Sequence, residues 1–352
     1  MAQNKSLRGP YLRTEEGSRA VMADMLIALS PSLVWGIYVF GPRAFVILAL
    51  SLLSFGLLEW GMKSLLKCRG GLEDLSVFVG ASIFAMALPA GVSLWIIPLG
   101  ALLAVVVFGH LTRPFTRHFL NSVLASLSIL YLAFPGATVR LVQPFVHLPA
   151  FSVTPVIQSD AAVEVGVLSL LKGGDIPADA DLTHFLAGVT PGGIGSVSVL
   201  LLVTGGLYLF VRRVISWQVP LCFAFSAAAL FYLFSPAEDA GLWMLYQIFS
   251  GGIPLALIFF GNDPDSTPVT RTGKVIFGIL CGVLTALFRL GTPLVEGVGF
   301  AVILASLLSR PLDILFRPRV YGKKRDLWRI LSEISERIKG LGTKLPKKEK
   351  DA

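Results

Sequence analysis

The stretch RAFVILALSLLSFGLLEWGMKSL, residues 43–65, decides the fold class because it is apolar over a length that spans a bilayer. About 20 apolar residues in a helix cross the hydrocarbon core. Similar stretches recur along the chain, and they are continuous rather than alternating, which is not the pattern of a transmembrane β-barrel. They predict ten spans, at 22–40, 43–65, 74–90, 92–109, 119–134, 195–211, 217–234, 241–260, 274–290 and 296–316.

The composition of the whole chain agrees with a membrane protein and excludes an ordinary soluble enzyme. Of the 352 residues, 54% are hydrophobic and 15% are charged, and the mean hydropathy is +0.74. A soluble domain carries roughly 25% charged residues. The net charge of +8 does not indicate a nucleic-acid partner, because the Lys and Arg residues lie in short loops and toward both ends, as expected beside a bilayer.

Positive charge alternates from loop to loop, which predicts the orientation in the membrane. On one side, residues 89–93 hold no basic residue and residues 235–240 hold Glu238 and Asp239. The other side is basic, so the positive-inside rule predicts both termini in the cytoplasm. The tail 323–344 predicts a basic amphipathic helix on the lipid surface or on a partner subunit. The basic loop residues are Lys63, Lys67, Arg69, Arg113, Arg117, Arg212, Arg213, Arg271 and Lys274.

A long polar insertion separates spans five and six. Loops of this length without helices of their own are usually functional. Five spans on each side of it give the halves opposite orientations, as in inverted-repeat transporters. The predicted fold is an all-α polytopic membrane protein with about ten transmembrane helices in two inverted five-helix halves. Its predicted parts are a cytoplasmic N-terminal segment (1–21), the first half (22–135), the extracytoplasmic insertion (136–194), the second half (195–316) and a basic cytoplasmic tail (317–352).

The third span of each half contains a predicted interruption. Gly80 and Ser82 lie inside the first of these spans, and Gly251 and Gly252 precede Pro254 in the second. Paired Gly and Pro breaks at corresponding positions point to a binding site at the membrane midplane. Such glycines also allow close helix packing. Both interpretations stay open, because neither break carries a charge.

Charged residues at membrane depth are further candidates, since each is costly there unless it is paired or hydrated. Glu59 lies inside span two and Asp263 ends span eight, and both are candidates for an ion or proton path. Lys63, one turn after Glu59, is spaced to pair with it. For Asp263, Arg289 and Glu296, an interfacial position near a helix end is the simpler interpretation.

The residues that commonly bind metals show no ligand spacing, and no Walker A motif or dinucleotide fingerprint occurs in a suitable context. No metal site is therefore predicted. The residues concerned are Cys68, Cys222, Cys281, His110, His118, His147 and His184.

Several motifs carry a family resemblance that covers nearly the whole chain. The most specific is DPDSTPVTRTGK, residues 263–274, and it is joined by MADMLIALSP, residues 22–31, and GGLYL, residues 205–209. The chain resembles the family that contains the D subunit of the Rnf complex and the B subunit of the sodium-translocating NADH:quinone oxidoreductase. The resemblance implies a subunit of a redox-driven ion pump in the bacterial inner membrane. In such a pump, electrons from ferredoxin or NADH pass through flavin and iron–sulfur subunits, and sodium ions or protons cross the membrane.

The resemblance also implies a flavin site, from which this chain departs. In the family, FMN is attached by a phosphoester to a threonine of the extracytoplasmic loop. The matching segment here is DAAVEVGVLSLLK, which begins at Asp160, and Gly166 stands at the position of the threonine. Glycine has no hydroxyl, so covalent FMN is predicted to be absent. Ser159 and Ser169 are nearby hydroxyls, but neither stands at the position of the acceptor threonine.

Three functions are compatible with these observations. The first is the membrane subunit of an Rnf-type pump, which contributes an ion path and a docking surface for its partners. The second is a stand-alone transporter or channel for a small solute or ion on the same scaffold. The third is a purely structural assembly subunit, which predicts that Glu59 and the two helix breaks tolerate substitution.

Overall fold

Each predicted span coincides with a helix, or with a bent pair of helices, in the computed structural model. The structure describes residues 18–65, 75–112, 121–146, 148–152, 171, 182–237, 239–263, 266–292 and 297–316. The first half holds α1 (Ser18–Phe40), α2 (Pro42–Leu65), α3 (Ser76–Ala87), α4 (Ile96–Leu111) and α5 (Ser122–Ala133). The short helix α6 (Pro135–Thr138) leads into the insertion, which also holds α7 (Leu182–Ala187). The second half holds α8 (Val199–Val211), α9 (Gln218–Leu233), α10 (Ala240–Phe249), α11 (Ile253–Ile258), α12 (Arg271–Gly291), α13 (Val298–Leu307) and α14 (Ser309–Leu315).

The lengths of these helices bear on how many of them cross a membrane. Among the described helices, α1, α2 and α12 are long and apolar enough to do so. The bent pairs α10–α11 and α13–α14 raise the number to five if each pair is one span, and five further apolar helices have 10–17 residues. The described residues form no β-strand, and one isolated bridge joins Pro89 to Gly193. The all-α polytopic class is therefore confirmed, and the count of ten crossings stays a prediction.

The two halves contact each other through helices of like position. The first helix of one half, α1, packs on the first helix of the other, α8, and the fifth helix, α5, packs on α13. The first contact is close, because a Cβ built on Gly205 of α8 would overlap the carbonyl oxygen of Ala28 in α1. Small residues permit such backbone approach inside a bilayer. This pairing agrees with two related halves, and their inverted relation stays a prediction.

The interruption predicted at Gly80 and Ser82 is wrong, because α3 continues through both residues. The hydroxyl of Ser82 donates a hydrogen bond to the carbonyl oxygen of Phe78 at 2.8 Å. Gly80 allows close packing, since a Cβ there would lie 3.1 Å from the Val123 side chain. The helix instead ends at Ala87, and residues 88–95 form a non-helical segment.

This segment, which the sequence places in an outer loop, lies inside the protein. Leu88 and Val92 are fully buried and Ala90 almost fully. The segment joins α3 to α4, so it is the connection between spans three and four and not an interruption of span three.

The interruption predicted at Gly251 and Gly252 is confirmed. The helix α10 ends at Phe249, α11 begins at Ile253, and the two helices are bent by 67°. Gly251 has a φ of 66°, which is the left-handed region that residues with a Cβ rarely enter. The turn thus requires glycine at this position.

Several predicted regions lie outside the described residues. They are the greater part of the N-terminal segment, the basic tail, residues 153–170 and 172–181 of the insertion with Asp160, Gly166 and Ser169, and Glu296.

Candidate ion-binding cleft

A cleft of about 250 Å³ lies where five helix ends of the first half meet the segment that follows α11. Its lining includes Glu59 of α2, Gly80 of α3 and Asp263, together with His110 and Asn121. The charge pattern of the loops predicts that these helix ends face the cytoplasm. The fold thus brings together three of the residues singled out from the sequence, although they come from both halves of the chain.

Glu59 faces the cleft with only 12% of its side chain exposed. Its Oε1 lies 3.2 Å from Nζ of Lys63, so the pairing predicted from their spacing is confirmed. Its other oxygen lies 3.9 Å from Nδ1 of His110. A buried carboxylate needs such partners, and here a basic side chain stands beside each of its oxygens.

His110 reaches the cleft because the second part of α4 is a π-helix, Leu102–Leu111. Its Nδ1 lies 2.9 Å from the carbonyl oxygen of Val105, five residues earlier. Single π-helical stretches inside α-helices occur often at functional sites.

Asp263 is the first residue of the most specific sequence motif, and the described residues around it hold it by hydrogen bonds. Its Oδ2 accepts a hydrogen bond from Oγ of Ser266 at 2.9 Å, and its carbonyl oxygen accepts one from the N–H of Thr267 at 3.0 Å. The hydroxyl of Thr267 donates to the carbonyl oxygen of Gly261 at 3.0 Å. These contacts fix the carboxylate at the end of this span, and its interfacial position stays a prediction.

A second cavity, of about 40 Å³, lies deeper between the halves. Ala87, at the end of α3, and Gly252, at the break after α10, both line it, as do Ser128 and Ser196. Phe260 lines this cavity and the cleft alike. The end of α3 and the break after α10 therefore border one cavity, and Phe260 borders both spaces. Of the other candidates, Ser82 and Gly251 line neither space.

The carbonyl groups at the second break already have a cationic partner. Arg289 of α12 is 1% exposed. Its Nη1 donates to the carbonyl oxygen of Gln247 at 2.6 Å and its Nη2 donates to that of Ser250 at 3.0 Å. The interfacial position expected for Arg289 is wrong, because the arginine turns inward to satisfy the end of α10, whose last carbonyl groups lack helical partners.

A polar cluster between the halves was missed. Asp24 of α1 accepts hydrogen bonds from the Tyr208 hydroxyl at 2.9 Å and from Nε of Arg212 at 3.1 Å. The only sequence indication is that Asp24 is an acidic residue inside an apolar run, which rarely occurs without a partner.

Arg43 was missed as well, because it looks like an ordinary basic residue at the start of a span. The structure buries it completely. Among the described residues, no group of three or more His, Cys, Asp or Glu side chains could hold a metal ion.

The bundle and its charged cleft define a polytopic α-helical membrane protein with carboxylates at the mouth of an internal cavity. The chain belongs to the NQR2, RnfD, RnfE family, whose model matches residues 6–322.

Curated relatives are similar over most of their length. The chain is 29% identical over 316 residues to the D subunit of the Na⁺-translocating ferredoxin:NAD⁺ oxidoreductase complex of Acetobacterium woodii, covering 89% of this chain and 93% of the relative. It is 29% identical over 343 residues to the D subunit of an ion-translocating oxidoreductase complex of Halorhodospira halophila, with 90% and 95% covered. The D subunit of the proton-translocating ferredoxin:NAD⁺ oxidoreductase complex of Clostridium ljungdahlii is 24% identical over 327 residues, with 90% and 95% covered.

Proposed function

We propose that this chain is the D-type membrane subunit of an Rnf-type ion-translocating oxidoreductase, and that it supplies the path for the transported ion. Family membership and the length of the similarity to relatives of that type support the first part. The observation that supports the second part is that Glu59 and Asp263 line one cleft. Phe260 borders both this cleft and the 40 Å³ cavity that Ala87 and Gly252 line.

The chemistry of the cleft suits a small hard cation or a proton. Carboxylate and carbonyl oxygens are the ligands that such cations prefer, and acidic side chains at membrane depth also serve as proton relays. The relatives include a sodium-translocating and a proton-translocating complex, so the coupling ion in this proposal is a sodium ion or a proton.

The proposal includes a location and partners. The chain lies in the bacterial inner membrane with both termini in the cytoplasm, as the positive-inside rule indicates. Its partners are the flavin-bearing and iron–sulfur subunits of the complex and the surrounding lipid bilayer.

FMN attached to this chain by a phosphoester does not fit the residues present. Glycine at position 166 offers no hydroxyl, and we assign the electron path to neighbouring subunits or to a flavin held without a covalent bond. In-gel flavin fluorescence and the intact mass of the denatured subunit test this. A dark band at the unmodified mass is expected. A fluorescent band with the added mass of FMN would mean that another hydroxyl, such as that of Ser159 or Ser169, has taken over the attachment.

The ion path is tested by Glu59→Gln and Asp263→Asn in the assembled complex, with Asp239→Asn as the matched control. Asp239 is an exposed carboxylate at the start of α10. Ion uptake into vesicles and the rate of electron transfer are measured together. Both cleft variants should slow ion passage by roughly tenfold, about 1.4 kcal/mol of lost transition-state stabilisation. The number of ions moved per electron should therefore fall in both variants, and the control should not change it.

Two other results would reject the proposal. An unchanged ion-to-electron ratio in both cleft variants would place the path outside this cleft. Ion flux through the purified chain alone in liposomes, without partner subunits or an electron donor, would favour the stand-alone transporter instead.

A further inference from the structure

Arg43 is the most completely enclosed charged side chain among the described residues, with no exposed surface. It lies in the first turn of α2, and its guanidinium makes five hydrogen bonds. Nε donates to the carbonyl oxygen of Ala90 at 2.8 Å and Nη2 donates to that of Val92 at 2.9 Å. Nη1 donates to the carbonyl oxygens of Pro149 and Ser152, at 2.9 and 3.0 Å, and to the Ser152 hydroxyl at 2.7 Å.

These contacts join two distant parts of the chain. Ala90 and Val92 belong to the non-helical segment 88–95 between α3 and α4, whereas Pro149 and Ser152 belong to the extracytoplasmic insertion. No carboxylate in the described parts of the chain pairs with Arg43. The energy that keeps the charge buried therefore comes from carbonyl and hydroxyl oxygens on both segments, so separating them would leave a buried cation unsatisfied.

A residue in the middle of the insertion, Leu171, is attached to α10. Trp243 of α10 is fully buried, and its Nε1–H donates to the carbonyl oxygen of Leu171 at 3.1 Å. Its ring packs edge-on against Phe231 at a centroid distance of 6.1 Å. The helix α10 then leads directly to the break that Arg289 holds.

Two segments thus connect the insertion to the cavity between the halves. One runs from Ala90 and Val92, which Arg43 holds, back to Ala87 at the end of α3. The other runs from Trp243 forward to Gly252 at the break after α10, and Ala87 and Gly252 line the same 40 Å³ cavity. We propose that Arg43 and Trp243 are positioning residues that transmit the position of the insertion to the end of α3 and to the break after α10, and so couple electron transfer to ion passage. This inference rests on the proposed function.

Arginine suits this junction better than lysine would. Its planar group offers five N–H donors in fixed directions, and here these directions match acceptors on two segments at once. Lysine keeps the charge but has three donors on one atom, so it would hold one segment or the other.

The test uses the assembled complex in membrane vesicles and measures ions moved and electrons transferred in the same preparation. Arg43→Gln removes the charge and most donors, Arg43→Lys keeps the charge, and Trp243→Phe removes one N–H while keeping the aromatic ring. The matched control is Trp60→Phe, since Trp60 lies on α2 and is 63% exposed.

We expect Arg43→Gln and Trp243→Phe to leave electron transfer within about twofold of the unaltered complex and to lower the ions moved per electron at least about fivefold, the factor for one lost buried hydrogen bond. Arg43→Lys should fall between, and Trp60→Phe should change neither rate. A purely structural role would lower both rates in proportion and leave their ratio unchanged.

The outcomes separate this inference from the proposed function. If Glu59→Gln lowers the ratio and Arg43→Gln and Trp243→Phe do not, the positioning role is wrong and the ion path stands. If none of the three changes the ratio, the ion path itself is wrong. If Arg43→Gln does not assemble, Trp243→Phe decides, because it removes a single donor, and an unchanged ratio in that variant overturns the inference.

Discussion

The helices α9 and α12 pack so closely at Gly282 that a side chain there has no space. A Cβ on Gly282 would overlap Oγ of Ser226 and lie 2.6 Å from the carbonyl oxygen of Phe223 and 2.9 Å from the nitrogen of Ala227. Two of these three atoms belong to the backbone of α9, so they cannot rotate away. Gly282→Ala must therefore separate the two helices or distort one of them.

Two opposing effects set the magnitude. Overpacking a closely packed contact costs about 1–3 kcal/mol, and replacing glycine by alanine inside a helix returns about 1 kcal/mol. The net loss of stability for Gly282→Ala is therefore about 0–2 kcal/mol. In Gly61→Ala only the second effect operates, since nothing lies within 4 Å of a Cβ at Gly61 of α2, and this variant should gain up to about 1 kcal/mol.

Thermal unfolding of the purified protein in detergent, followed by the loss of helical circular dichroism, measures the difference. At roughly 2–4 °C per kcal/mol for domains of 150–250 residues, Gly282→Ala should unfold at a midpoint several degrees below that of Gly61→Ala. A midpoint for Gly282→Ala equal to or above that of Gly61→Ala would refute the close packing of α9 on α12.

Three further variants test other contacts. Lys63→Met should lower the KM for the transported ion severalfold, because the ammonium group that pairs with Glu59 no longer competes with that ion. Initial rates of ion uptake at varied ion concentration measure the KM, and an unchanged or higher value would contradict this expectation. Asp313→Ala should cost about 1 kcal/mol, since Asp313 accepts hydrogen bonds at 3.0 Å from two N–H groups and a hydroxyl just before α12; a thermal midpoint within 1 °C of the unaltered protein, about half of the expected shift, would argue against that role. Tyr131→Phe removes the 2.9 Å hydrogen bond to the carbonyl oxygen of Ala87 and should cost about 1–3 kcal/mol; denaturant unfolding should show a lower midpoint with an unchanged slope, and an unchanged midpoint would show that the end of α3 needs no such donor.

The spans could be predicted because the physical cause is local. A helix in a bilayer must be apolar over its own length and must satisfy its own backbone groups. Both conditions depend only on consecutive residues, such as 43–65. The break at Gly251 was predictable for the same reason, because its positive φ depends on the residue at that position. The pairing of Glu59 with Lys63 also follows from spacing along a single helix.

The burial of the connection between α3 and α4 could not be predicted, because its cause is not local. Residues 88–95 contain Pro89 and Gly91, which indicate a turn but not whether the turn lies outside or inside the bundle. The segment is buried because Arg43 and the insertion cover it, and the chain order gives no hint that residues so far apart meet.

The sequence by itself determined that the chain is an all-α membrane protein and which loops carry positive charge. Only the tertiary structure decided that Glu59 and Asp263 share one cleft, that the end of α3 and the break after α10 border one cavity, and that Arg43 and Arg289 are buried. The physical reason is that hydrophobic burial and helix formation act over neighbouring residues, whereas the partner of a buried charge is set by packing between segments that are distant in the chain.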